Sequence, residues 1–318
     1  MKIVFLDGQA LNPGDLSWEH VTQMGETVIY NQTVTPEQAI ERIADAEIVI
    51  TNKTVITEAI IDACPNIKLI CISATGYNNV DGAAARKRNI PVCNVPGYGT
   101  TAVAQFTIAL LLELCHRIGY HSDLVHEGEW EKCPNFCFWR TPQTELTGKT
   151  FGIIGYGSIG RAVAPIAAAL GMKVLATSRS RREDPTGIAE IVDLDTLLER
   201  SDVISLHCPL FPETTGLICA ETIGKMKDGV MLLNTARGPL IDENALADAL
   251  RSGKVKGAAV DVVSREPILG TNPLLTAPNC IITPHMAWTQ TEARQRVIDI
   301  TADNIRAFLG GKSLNVVN

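Results

Sequence analysis

No apolar run in the chain is long and unbroken enough to cross a membrane. The stretch 107–112 soon meets Glu113, His116 and Arg117, so it reads as a core helix. The N-terminus, Met1 to Gly8, reads as a buried strand and a turn, and it meets charge too soon for a signal peptide. Positive charge is also short. Lys and Arg number 28 against 35 Asp and Glu, a net charge of -7. That balance argues against a nucleic-acid partner, which calls for clustered cations, and against anionic membrane surfaces. Fixed short repeats and low-complexity tracts are missing. The nine cysteines offer no metal set, because Cys133 and Cys137 have no second Cys/His pair at zinc spacing. Cys64, Cys71, Cys93, Cys208 and Cys280 lie in or beside apolar runs, where cysteine acts as a small hydrophobe. Unpaired thiols in this number suit a reducing cytoplasm.

What is present is ordinary globular material. Hydrophobic residues make up 46% and charged residues 20%, which excludes a disordered chain. A length of 318 residues suggests about two domains. Short β-rich runs alternate with helical patterns, the signature of parallel α/β sheets. In the first part, strands are expected at 2–6, 27–30, 48–51, 69–73 and 91–94, with helices at 36–44, 57–63 and 81–88. Val95-Pro96-Gly97 reads as a hinge, and a long apolar helix follows over 101–118. A second α/β unit starts at Lys149, with strands expected at 150–154, 173–177, 188–192, 202–206, 230–234, 257–261 and 281–283. The last helix, 292–309, is expected to return to the first domain. The fold class is therefore two Rossmann-like α/β domains with parallel sheets and a cleft between them. Residues 1–96 and 289–318 form a flavodoxin-like domain, and residues 97–288 form a dinucleotide-binding domain.

The second domain opens on an apolar strand that runs into Gly155-Tyr156-Gly157-Ser158-Ile159-Gly160 and then a helical pattern over 161–170. In such a turn, the glycines give a tight bend, a close backbone approach to pyrophosphate, and helix–strand packing. The helix N-terminus favours the anion. An NAD site would place Asp or Glu where the 173–177 strand ends, to bind the ribose 2′-hydroxyl. This chain has Thr177-Ser178-Arg179-Ser180-Arg181-Arg182 instead. Without the acid, a 2′-phosphate is not repelled, and arginines can grip it. The cofactor expected is NAD(P)H with a leaning to NADP.

In open α/β sheets, ligands bind beyond the carboxyl ends of the strands. The residues just past the expected strands are His207-Cys208-Pro209, Asn234-Thr235-Ala236-Arg237-Gly238, Asp261 with Glu266, and Pro284-His285. An arginine, an acid and a histidine gathered there suit hydride transfer to a keto acid. Arginine supplies a planar fork for a carboxylate. Histidine can give a proton to a developing alkoxide near neutral pH, and a paired acid orients it.

Taken together, Gly155-x-Gly157-x-x-Gly160, Leu206-His207-Cys208-Pro209-Leu210, Asn234-Thr235-Ala236-Arg237-Gly238, Ala259-Val260-Asp261-Val262 and Thr283-Pro284-His285 resemble the D-isomer-specific 2-hydroxyacid dehydrogenase family. The resemblance runs over nearly the whole chain and is greatest to the glycerate dehydrogenases, also called hydroxypyruvate reductases. It implies that Arg237 holds the substrate carboxylate and carbonyl, and that Glu266 pairs with the acid/base His285. It implies that Asp261 receives the nicotinamide carboxamide. Thr100, Ser158, Ile159, Ser178, Arg179, Ser180, His207, Pro209, Asn234, Thr235 and Ala236 would line the cofactor path with the three glycines. Backbone N–H groups at Ala74-Thr75-Gly76, with Lys53, would bind the substrate carboxylate from the other domain. Trp288 stands where smaller residues often follow the family's histidine, and its ring would favour a short substrate. Phe138 and Trp139 lie in a loop that, in some members, reaches the partner subunit's active site, and a homodimer is implied.

The resemblance implies reduction of hydroxypyruvate or glyoxylate to D-glycerate or glycolate, with no metal. A D-lactate dehydrogenase of the same family stays open, since only pocket shape separates the two. A phosphoglycerate dehydrogenase fits less well, because little chain follows the last helix. A nucleotide-sensing corepressor or scaffold, which the family also contains, is disfavoured by the acidic charge and the lack of long disordered tails.

Overall fold

The structure is a computed structural model that describes residues 1–179 and 183–318. The chain divides into two units, Met1–Gly99 with Trp288–Asn318, and Thr100–Ala287. Residues 97–99 and Trp288 thus fall in the first unit rather than the second.

The first unit is built on β1 (Lys2–Phe5), β2 (Glu26–Ile29), β3 (Ile48–Thr51), β4 (Leu69–Ile72) and β5 (Val92–Cys93), in the sheet order β2-β1-β3-β4-β5. All of these pairings are parallel. β3 and β4 are buried along their whole length, as expected of strands covered on both faces. Helices start where the sequence supplies a cap. Thr35, Thr57 and Asp81 each accept an N–H of the first turn that follows, a contact worth about 1 kcal/mol. Helix Thr291–Leu309 packs Val297, Ile298, Ala302 and Ile305 into the core of this unit. Arg294 fixes its start, with its guanidinium forked onto Asp15 at 2.8 and 2.6 Å and also bonded to the Leu11 carbonyl.

The second unit carries a seven-stranded parallel sheet. Its strands are β6 (Thr150–Ile154), β7 (Lys173–Thr177), β8 (Ala189–Ile191), β9 (Val203–Leu206), β10 (Val230–Asn234), β11 (Val255–Val260) and β12 (Cys280–Ile282). The order is β12-β11-β10-β9-β6-β7-β8. The reversal beside β6 is the switch point at which such sheets bind ligands. Register brings Ile154, Thr177, Leu206, Asn234, Val260 and Ile282 to one edge.

The expectation of two parallel α/β units holds, and two local expectations are corrected. The helix expected over 101–118 ends at His116, because Arg117 takes a left-handed φ of 49°, and a second helix, Ile118–His126, follows the break. Apolar spacing runs on through this break and hides it. The helix expected from Arg161 begins at Ser158, directly on the glycine turn. First-turn N–H groups have no intrahelical partner, so poor helix formers cost little there. Among the described residues, no single helix is long and apolar enough to cross a membrane.

Candidate active site

The glycine turn shows what each glycine allows. Gly155 stands at φ 101°, and a Cβ there would lie 2.5 Å from the Cys208 nitrogen. A Cβ on Gly160 would lie 2.5 Å from the Gly155 carbonyl oxygen, so this glycine lets the helix pack on the strand. Beside Gly157 the space is open. Helix Ser158–Ala169 starts here with no side-chain cap, which leaves its first N–H groups for a ligand. A cavity of about 590 Å³ adjoins the turn, lined by Gly157, Ser178, Arg179, His207, Pro209 and Phe211 among others. That is ample for a ligand site.

His207 lines this cavity with one ring nitrogen 2.8 Å from Ser205 Oγ and with Nδ1 buried and unpartnered. Burial pushes its pKa down to about 4, so the ring is neutral at working pH. A dinucleotide fits here, as it would supply both the anion for the turn and a partner for that nitrogen. Arg179 lays its guanidinium 4.8 Å over the Phe211 ring. Asp193 also lines the cavity, with its carboxylate committed to capping Thr196. Ser180, Arg181 and Arg182 lie outside the described residues.

At the end of β10, Asn234 is fully buried and spends its side chain on the backbone, accepting from Ala236 N–H and donating to the Arg237 carbonyl. Thr235 bonds Thr107 at 3.0 Å. Arg237 is exposed, with one guanidinium N–H on the Ala236 carbonyl. Gly238 then presses on the next loop, where a Cβ would lie 1.9 Å from the Val263 carbonyl carbon. That loop, after β11, carries Glu266. It is buttressed by Glu243, which accepts from the Ser264 N–H and hydroxyl and from Asn272.

Glu266 Oε2 lies 2.6 Å from His285 Nδ1, and Oε1 accepts from Val263 N–H at 3.3 Å. The histidine is half-buried at φ 53°. Asp261, only 1% exposed, sits beneath it. Its carboxylate accepts from Thr283 Oγ1 at 2.6 Å and from Met286 and Ala287 N–H at 2.8 Å. A carboxylate has about four acceptor sites, so about one is left for a ligand amide. One sheet edge thus brings together an exposed cation, a carboxylate–imidazole pair and the glycine turn. Thr100, half-buried, opens the long helix of the same unit.

The remaining candidates belong to the first unit. Lys53 follows β3 and is exposed, its backbone N–H bonded to Asp7. Ala74-Thr75-Gly76 follows the neighbouring β4, held by Val95 N–H on the Ala74 carbonyl and by Thr75 Oγ1 on the Val95 carbonyl. Trp288 meets Tyr98 edge-on at 6.3 Å and packs partly on the core there. Sequence reasoning passed over Tyr156, Arg161 and Phe211, which line the cavity, and Glu243. Only Tyr156 carried a signal, its place between two motif glycines.

The chain is similar to known proteins across its length. The family model described as D-isomer specific 2-hydroxyacid dehydrogenase, NAD binding domain, matches residues 108–287. A hydroxypyruvate reductase of Blautia hydrogenotrophica is 54% identical over 100% of both chains. A glycerate dehydrogenase of Methylorubrum extorquens is 41% identical over 99% of this chain and 98% of its own. Among solved structures, an acyclic imino acid reductase in complex with NADPH and D-Arg aligns with a TM-score of 0.86 and 31% identity over 100% of both chains. With its glycine turn fitted to a nicotinamide dinucleotide, the chain belongs to the D-isomer-specific 2-hydroxyacid dehydrogenases, a family of oxidoreductases.

Proposed function

We propose that the chain reduces hydroxypyruvate or glyoxylate to D-glycerate or glycolate with NAD(P)H, leaning to NADPH. The 2.6 Å pairing of His285 with Glu266, on the sheet edge that carries the glycine turn, is the observation behind this reading. The names of the hydroxypyruvate reductase and glycerate dehydrogenase relatives support the substrate class. When bound, the nicotinamide supplies the hydride for C2. His285 gives the proton to the substrate oxygen, and Glu266 holds its ring in position. Arg237 offers a planar fork to the carboxylate and carbonyl. Asp261 holds the histidine turn and keeps one acceptor site for the carboxamide. In the first unit, Lys53 and the 74–76 turn are candidate anion-binding groups. Ser178 and Arg179, with no acid at the end of β7, favour a 2′-phosphate.

A homodimer is part of the proposal. Helix Ile118–His126 buries none of its residues, and Phe136 and Trp139 beyond it are 90% and 67% exposed. Apolar surface of this kind marks an interaction site. Sedimentation should give a dimer, and a monomer at micromolar concentration would overturn that part.

The test of the reaction is steady-state turnover of hydroxypyruvate, glyoxylate and pyruvate with both cofactors. Hydroxypyruvate or glyoxylate should exceed pyruvate in kcat/KM. His285→Ala should lower kcat by about 100-fold or more, because a general acid acts where charge develops, while cofactor affinity stays near wild type. Near-normal turnover in that variant, or a preference for pyruvate, would sink the reading.

A further inference from the structure

We infer that Tyr156 and Asp184 form a brace that holds the cavity-lining Ser178 and Arg179, just past β7, in place for cofactor binding. This rests on the reading of the adjoining cavity as the cofactor's seat.

Tyr156 bonds both the last residue of β7 and the stretch that leads into β8. Its backbone N–H and that of Gly155 donate to the Thr177 carbonyl at 3.0 and 3.3 Å, at the end of β7. Its hydroxyl donates to Asp184 Oδ2 at 3.0 Å, on the returning side. The ring between these anchors is 4% exposed and packed in the core of the unit, so the hydroxyl is held on a rigid arm. Asp184 in turn gathers its own segment. It accepts from Thr186 N–H and Oγ1, from Ile188 N–H and from Ala189 N–H, the last being the first residue of β8. Between the anchors lie Ser178 and Arg179, which line the cavity together with Tyr156.

The brace is built to stay on. Burial and the bond to Asp184 push the Tyr156 pKa up to about 12, so the hydroxyl remains a donor. Burial works against ionisation of Asp184, but its donors outweigh that and hold the carboxyl well below the usual carboxylate range. A charged acceptor makes the stronger hydrogen bond. The physical role follows from population. If Ser178 and Arg179 spend less time in the arrangement that binds, apparent affinity falls by the same fraction.

Tyr156→Phe removes the hydroxyl and keeps the core filled. In the full chain, the Kd of NADPH and of NADH is read from the fluorescence of the bound nicotinamide, alongside kcat at saturating cofactor and the thermal midpoint. Kd should rise about fivefold or more for both cofactors while kcat and the midpoint stay near wild type. Asp184→Asn should shift Kd in the same direction. Unchanged Kd values in Tyr156→Phe overturn the brace. So does a loss of kcat and thermal midpoint in proportion, which marks a merely structural residue. A wild type that favours NADH overturns the NADPH leaning alone, since the brace is judged on Kd for either cofactor.

Discussion

Asp261 and His285 are joined through both backbone and side chain. The His285 N–H donates to the Asp261 carbonyl at 2.8 Å, and the Asp261 carboxylate takes the N–H groups of the two residues after the histidine. A φ of 53° is uncommon outside glycine, and these bonds hold the histidine there. The imidazole therefore reaches Glu266 from a backbone shape that a buried acid enforces.

Asp261→Ala should destabilise the chain and disable it together. The change strands two backbone N–H groups and a threonine hydroxyl, and each unsatisfied buried group costs about 1–3 kcal/mol. A loss of about 3 kcal/mol or more in urea unfolding is expected. The fall in kcat should exceed about tenfold, because the proton donor is displaced. Unfolding and turnover near wild type would show that the turn holds itself.

Arg237→Lys should harm keto-acid turnover far more than cofactor binding. Lysine keeps the charge and loses the fork. A drop in kcat/KM of about tenfold or more, equivalent to about 1.4 kcal/mol, is expected. If lysine serves equally well, the carboxylate is held by some other group.

His207, whose Nδ1 is buried without a partner, predicts a pH effect on stability. Its folded pKa is about 4 against an ordinary 6.5. Between these values the unfolded chain binds a proton that the folded chain does not, so stability falls as pH drops through that window. Above about pH 6.5 the effect is fully absent, and below about pH 4 it stops growing. Urea midpoints of wild type and His207→Gln should diverge across the window, with the wild type losing more. Parallel curves would mean that the ring can take up its proton while folded.

Cofactor choice gives the fourth test. Wild type should use NADPH at least as well as NADH, and Ser178→Asp with Arg179→Ala should move it towards NADH. A contact to a 2′-phosphate is worth about 1.5–3 kcal/mol before screening, and a tenfold preference needs only about 1.4. The measure is kcat/KM for both cofactors at one ionic strength. A strong NADH preference in the wild type would show that Ser178 and Arg179 do not hold a 2′-phosphate.

Local chemistry is what the sequence makes readable. The glycine turn announces itself because bend, strand and helix lie within one short stretch, and β6, β7 and β10 match their expected bounds residue for residue. The candidate site was readable as strand ends, because a parallel sheet places its ligands at one edge. Contacts between distant segments were not. Nothing near Glu243 announces that it buttresses Ser264, and nothing near Asp184 announces Tyr156. The break at Arg117 was hidden for another reason, since a single residue changed its backbone angle while the apolar pattern ran on.

The tight approach at Gly238 constrains how this enzyme can be altered. The loops that carry Arg237 and Glu266 meet backbone to backbone there, with no room for a methyl group. A saturation library at this position should return glycine alone, and alanine should already push the two loops apart. Attempts to retune substrate size by moving the arginine would drag the Glu266 loop with it. Productive diversity has to come from side chains that these loops display, with their backbones left as they are.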